Sequence, residues 1–232
     1  MSTVTPRTEG DPRPDTLGMR LAHRAMLRDA RRLTALAEAL AAGTATADPA
    51  RGTAIGRYVA DFCDSIHSHH SAEDDVLWPV LAASAGTHVD LAELSDDHAA
   101  LDPLLARLRA AARAFAARPA SEDAATALAV ELAELRDVLD EHIADEEATV
   151  LPAVEEYVSV GDWTAVEARI RTRARLSFEA PRVAAVTTPD EYRRIAAEGG
   201  LALRLLLAVL VPPFRRRERR VFGAWVSSVP ES

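Results

Sequence analysis

Apolar residues recur at helical spacing along the first two-thirds of the chain, between short stretches that contain Gly and Pro. No strand-like alternation of apolar and polar residues competes with this pattern. Helix start and stop signals therefore bound four predicted helices, at about residues 15–42, 53–84, 90–117 and 121–158. Residues 1–14 are polar and rich in Pro, so we expect a disordered tail there.

The remaining third of the chain, residues 159–232, continues the helical pattern. It ends in an apolar run, LALRLLLAVLV, and an arginine-rich stretch. The run has 11 residues, fewer than the roughly 20 that cross a bilayer. We expect this segment to cap the bundle and to pair its arginines with acidic residues, and the alternative is a peripheral membrane or oligomer contact. The predicted fold class is all-α, with a four-helix up-down bundle over residues 15–158 and an additional helical C-terminal extension.

Composition indicates a helical core and argues against some classes of function. Hydrophobic residues make up 48% of the 232 positions but aromatic residues only 5%, so the core is built from Leu, Ala and Val. The net charge of −9 argues against nucleic acid as a partner. Cys63 is the single cysteine, which excludes an intrachain disulfide framework and fits a cytoplasmic location. No apolar leader is visible at the N-terminus, in agreement with that location.

Two copies of one motif carry the candidate chemistry. His69 and Glu73 form H-x-x-x-E in HHSAEDDVLWPVL, and His142 and Glu146 form it again in HIADEEATVLPAV. A spacing of four residues places His and Glu on the same helical face, one turn apart. The repeat therefore predicts two matched His/Glu faces within the bundle.

A lone histidine precedes each motif by a similar distance. His23 lies 46 positions before His69, and His98 lies 44 positions before His142, each in an amphipathic segment. A single histidine on an apolar helical face is more often a hydrogen-bonded core residue, but the matched repeat favours metal ligation here. Four such helices can close around a pair of metal ions in a bundle core. Four imidazoles and two carboxylates suit iron better than zinc or calcium.

The arrangement resembles the hemerythrin family in its bacterial HHE-domain form. The match covers about residues 17–158 and includes an apolar-Pro step six residues after each glutamate, at Pro79 and Pro152. The resemblance implies two iron ions, oxo- or hydroxo-bridged, with Glu73 and Glu146 as the bridging carboxylates. The internal duplication assigns the four histidines in pairs: His23 and His69 to one iron, His98 and His142 to the other.

Further residues near the motifs are candidates with weaker support. His70 lies about 100° around the helix from His69 and is an additional candidate ligand, as it is in some family members. Asp102, one turn after His98, is a second. Acidic neighbours are assigned to solvent or to support of the ligands: Asp74, Asp75, Asp145 and Glu147.

The sequence departs from the oxygen-carrying hemerythrins that it resembles. No fifth histidine lies one turn from His98, and the fourth-helix carboxylate is Glu at +4 rather than Asp at +5. We therefore expect open iron positions, which favour reactivity over reversible carriage. The favoured function is binding or turnover of a small oxidant or gas (H2O2, O2 or NO), with peroxide removal first. The alternatives are a diiron oxygenase or oxidase acting on an organic substrate, and an iron or oxygen sensor or store.

Overall fold

The computed structural model describes residues 4–223 and, within them, contains eight α-helices and no β-strand. This confirms the all-α prediction. The helices are α1 (Leu17–Ala41), α2 (Pro49–Ala72), α3 (Trp78–Ala85), α4 (Ala92–Ala117), α5 (Glu122–Tyr157), α6 (Val160–Arg173), α7 (Leu176–Val186) and α8 (Pro189–Phe222). In the bundle, α1 packs on α5, α5 on α4, and α4 on α2, which places all four motif-bearing helices around one core.

The second helix of the bundle is divided at the motif glutamate. One continuous helix was expected over residues 53–84, but α2 ends at Ala72 and a π-helical turn, Glu73–Leu77, joins it to α3. Pro79 lacks the N–H that would bond to the Asp75 carbonyl, and the wider turn accommodates that loss. In the other half of the molecule, Pro152 lies inside α5 without such a break.

The N-terminal segment has a defined course from residue 4 onward, where we expected a disordered tail over residues 1–14. Arg7 N–H donates to the Tyr157 carbonyl at 2.8 Å, and Thr5 N–H donates to the Asp162 carboxylate at 2.9 Å. Residues 1–3 lie outside the described residues. The first helix begins at Leu17 with Thr16 as its N-cap residue, and the Asp15 carboxylate accepts from the Leu17 N–H at 3.0 Å.

Two apolar clusters fill the bundle, and the motif residues lie between them. On α1, for example, Met19 belongs to one cluster and Met26 to the other, with His23 between. Cys63 is fully buried in the larger cluster, and burial raises the pKa of its thiol to about 12. A polar layer therefore crosses an otherwise apolar core.

The C-terminal extension packs on the bundle through α7, which contacts α1, and α8, which contacts α2 and α7. A buried ion network joins them: Arg182 Nε donates to the Asp29 carboxylate at 2.7 Å, and the Tyr58 hydroxyl donates to the same carboxylate at 2.8 Å. Arg217 pairs with Asp61, in line with the expectation that extension arginines meet bundle acids.

Part of α8 remains uncovered. Beyond a break at Gly200 (φ 55°), its exposed face carries Leu201, Leu205 and Val209. Within residues 4–223, no helix combines the length and apolar character needed to cross a membrane. Peripheral membrane or oligomer contact through the basic segment stays a prediction, as does the division of the chain into a bundle domain and an extension.

Candidate metal centre

The motif residues meet in the polar layer as two adjoining groups. His23, His69, Glu73 and Glu146 form the first group, and in each group the possible ligand atoms lie within 4.8 Å of one another. The second group contains His70, His98 and His142.

In the first group the side chains converge on one point. The Nε2 atoms of His23 and His69 are 3.1 Å apart, and His69 Nε2 lies 2.8 Å from Glu73 Oε1. Glu146 Oε2 lies 3.3 Å from His23 Nε2. Two imidazole nitrogens and two carboxylate oxygens aimed at one small space form a donor set suited to a cation.

The second group repeats this geometry on the other side of the same carboxylates. His98 Nε2 and His142 Nε2 are 3.2 Å apart. Glu73 turns its other oxygen, Oε2, towards His98 Nε2 at 3.7 Å, and Glu146 Oε2 lies 4.0 Å from His142 Nε2. Glu73 thus presents one oxygen to each group, and Glu146 approaches both groups through Oε2.

His70 belongs to the second group, although the sequence ranked it below the other histidines. Its ring centroid lies 4.6 Å from that of His98 and 5.0 Å from that of His142. On a helical wheel Glu73 falls at about 40° from His69, between the two neighbouring histidines, so both can flank one glutamate. His70 therefore lies at the centre with the four expected imidazoles, and the signal was the adjacent pair of histidines before the glutamate.

Asp102, the other weaker candidate, lies outside both groups. Its side chain is 64% exposed and accepts a hydrogen bond from His67 at 3.0 Å. Because it points to solvent from α4, it does not supply a ligand atom to either group.

Carboxylates outside the two groups are hydrogen-bonded to two of the histidines. Glu147 Oε1 lies 3.0 Å from His23 Nδ1, and Asp74 Oδ1 lies 3.0 Å from His98 Nδ1, so the residue after each motif glutamate contacts the opposite lone histidine. These hydrogen bonds hold both rings with Nε2 towards the centre, as they do around metal-bound histidines. Asp97 lies 3.6 Å from His142 Nδ1, which is close enough for an ion pair but too far for a hydrogen bond.

The charge balance of the centre calls for a cation. Among residues 4–223, both oxygens of Glu73 and of Glu146 and both ring nitrogens of His70 have no hydrogen-bond partner despite complete burial of those atoms. Burial raises the pKa of Glu73 well above its ordinary value, and burial with the nearby Glu73 raises the pKa of Glu146 to about 8. Burial also lowers the pKa of His70 well below its ordinary value. Buried groups of this kind are stable when they coordinate a metal, so the residues present fit a metal pair.

Comparison with known proteins agrees with this geometry. A family model described as the hemerythrin HHE cation binding domain matches residues 18–154. Neither the curated proteins nor the solved structures contain a match to the chain.

Proposed function

The chain belongs to the hemerythrin family of HHE cation-binding domains, and we propose that it is a non-haem diiron protein that turns over a small oxidant, with peroxide removal favoured. Members of this family bind metal ions, commonly iron. The observation that carries the proposal is the burial of Glu73 and Glu146 between two histidine groups, with no other partner among the described residues.

We assign two iron ions, one to each group, with both glutamates shared between them. The ligands would be His23 and His69 on one side and His70, His98 and His142 on the other. Nitrogen-rich donors with two carboxylates suit iron better than zinc, whose sites are usually tetrahedral. When bound, a pair of redox-active irons supplies the electron transfer that the protein side chains cannot.

The two sides differ in how fully the protein surrounds them. Three histidines face the second side but two face the first, because Ile143 occupies in the second motif the place that His70 has in the first. The first side therefore offers room for a small oxidant beside His69. The side chain of His69 is 11% exposed and borders two surface cavities, whereas His23, Glu73 and Glu146 are fully buried.

Among the candidate reactions, peroxide removal requires the fewest groups and co-reactants in addition to the metal centre. Disproportionation converts two H2O2 into one O2 and two H2O, so it needs no external reductant. Glu73, Glu146 or water can carry the protons. We place the protein in the cytoplasm, on the basis of its single unpaired Cys63.

A second candidate is supported by one specific observation. The cavities at His69 measure about 430 and 440 Å³, far larger than O2 or H2O2 requires and within the range of small-molecule sites. Helices α6 and α7 of the extension line both of them. Oxidation of an organic substrate held there is therefore the alternative function.

The test mixes the reduced, iron-loaded protein with O2 in a stopped-flow instrument and, separately, measures O2 release from added H2O2. We expect rapid oxidation by O2 and sustained O2 release from peroxide. Glu73→Ala with Glu146→Ala serves as the matched control and should release no O2 above free iron. Reversible oxygen uptake that persists without peroxide turnover would contradict the proposal and favour a carrier or a sensor.

A further inference from the structure

A cleft between the bundle and the C-terminal extension leads to one histidine of the centre. Two cavities, of about 430 and 440 Å³, lie between α1 and α2 on one side and α6 and α7 on the other. They adjoin, because they share five lining residues: Ala22, His69, Ile170, Arg171 and Val183.

His69 is reachable from this cleft because the internal symmetry fails at one residue. In the second half of the bundle, Asp97 directly precedes His98 and lies 3.6 Å from His142 Nδ1. The corresponding residue before His23 is Ala22, which has no carboxylate to offer His69. His69 Nδ1 accordingly has no hydrogen-bond partner among residues 4–223, while His69 Nε2 faces the centre.

The chemistry of His69 Nδ1 follows from the position of its other nitrogen. An imidazole that ligates through Nε2 carries its hydrogen on Nδ1, and that N–H usually donates to a carboxylate or carbonyl. At its inner end, the cleft therefore contains a hydrogen-bond donor that has no acceptor among the described residues. A bound molecule with an acceptor atom in the cleft can accept this hydrogen bond.

The walls of the cleft are apolar, and most of its charges are already paired. Asp61 pairs with Arg175, and Glu179 is held by Arg182 at 2.8 Å. Arg171 lines both cavities, is 61% exposed, and lies 3.8 Å from the Glu167 carboxylate. The apolar wall of one cavity is formed by Met26, Phe178, Ile170 and Val183. Leu21 and Trp163 extend it in the adjoining cavity.

We propose that this cleft binds an amphipathic organic carboxylate. Its carboxylate accepts the hydrogen bond from His69 Nδ1 and is attracted by Arg171, and its apolar body lies against Phe178, Ile170 and Val183. The inference rests on the proposed function in one respect, because His69 must face the metal through Nε2. It adds a ligand class and a recognition residue that peroxide removal does not need.

Isothermal titration calorimetry on the iron-loaded full chain tests the proposal, with octanoate as the probe and octanamide as its uncharged match. We expect octanoate to bind and octanamide to bind at least about tenfold more weakly, because a charge-assisted hydrogen bond is lost. Ala22→Asp restores the missing carboxylate, so it should abolish octanoate binding. Arg171→Ala should weaken binding about tenfold, and Arg113→Ala, an exposed arginine on α4, should not change it.

Iron content and O2 release are measured on every sample, so a failure of the centre is seen separately from a failure of the cleft. Normal iron content with no octanoate binding would overturn the proposed ligand while leaving the diiron proposal in place. Equal affinity for octanoate and octanamide would do the same. Because Arg171 is exposed, Arg171→Ala reports on the cleft even if Ala22→Asp does not fold, and unchanged binding in Arg171→Ala would overturn its assigned role.

Discussion

Glu73 and Glu146 set the charge of the centre, and their protons compete with metal. Iron ligation requires both carboxylates in the ionised form. The pKa of Glu73 lies well above its ordinary value because of burial, and that of Glu146 is raised from 4.5 to about 8. The pKa of His142 is lowered to about 4 by burial and by His98, so that imidazole holds no proton to displace near neutral pH.

We therefore predict that apparent iron affinity rises with pH up to about pH 8, where the Glu146 proton is lost without metal. The sign follows because protonated carboxylates must release protons on iron binding, and the slope is up to about tenfold per pH unit for each proton released. Competition against a chelator of known pH dependence measures the affinity. An iron affinity that stays constant between about pH 6 and about pH 8 would show that the carboxylates are not ligands.

His70 gives a second prediction at this scale. His70→Ala should lower iron content by about one ion per chain, comparable to His69→Ala, because each removes an imidazole from one group. His67→Ala, at an exposed position on the same helix, is the matched control and should retain full iron. Metal analysis of the three variants, prepared identically, decides the point. Full iron content in His70→Ala would show that His70 packs beside the centre and does not bind iron.

Sequence spacing predicted the six motif residues but not all of their surroundings. The two H-x-x-x-E copies and their lone histidines converge because each spacing fixes a helical face. His70 was ranked low because periodicity alone places it 100° from His69 and does not show that Glu73 stands between them. No pattern in the sequence singled out Ala22. Its lack of a carboxylate is noticeable only when Ala22 is compared with Asp97, the residue at the equivalent position in the other half.

At the scale of elements, the extension is tied to the bundle by charges that are fully buried. Arg182 on α7 is 1% exposed and Asp29 on α1 is fully buried, and their atoms approach to 2.7 Å. Local periodicity could not have found this pair, because its members lie 153 positions apart. The expected pairing of the arginine-rich stretch with bundle acids is seen at Arg217. The apolar run, in contrast, leaves Leu201, Leu205 and Val209 exposed instead of capping the bundle.

Arg182→Ala should lower the free energy of unfolding by about 3–5 kcal/mol, because it leaves the Asp29 carboxylate buried with less compensation. Urea denaturation of the metal-free protein measures this change without a contribution from iron. Arg113→Ala, at an exposed site, should change the free energy by less than about 0.5 kcal/mol. A loss below about 1 kcal/mol for Arg182→Ala would mean that α7 is held by apolar packing alone.

At the scale of the whole molecule, the two halves of the bundle are near copies that differ at residues beside the candidate metal centre. His70 adds an imidazole to one side, and Ala22 opens the other side to a cleft roofed by the extension. The duplication alone assigned two histidines to each iron, whereas the unequal histidine groups predict two distinguishable irons. The prediction of an outer contact, with a membrane surface or a second copy, has its best candidate in the exposed face of α8.

Iron stoichiometry with Mössbauer spectroscopy of the protein loaded with the iron-57 isotope tests the central claim most directly. The account predicts about two irons per chain, coupled in the oxidised form and giving two distinct iron signals, because unequal histidine groups share Glu73 and Glu146. The double variant Glu73→Ala with Glu146→Ala should lose both irons. A single iron per chain, stoichiometric zinc in its place, or full iron in the double variant would contradict the account.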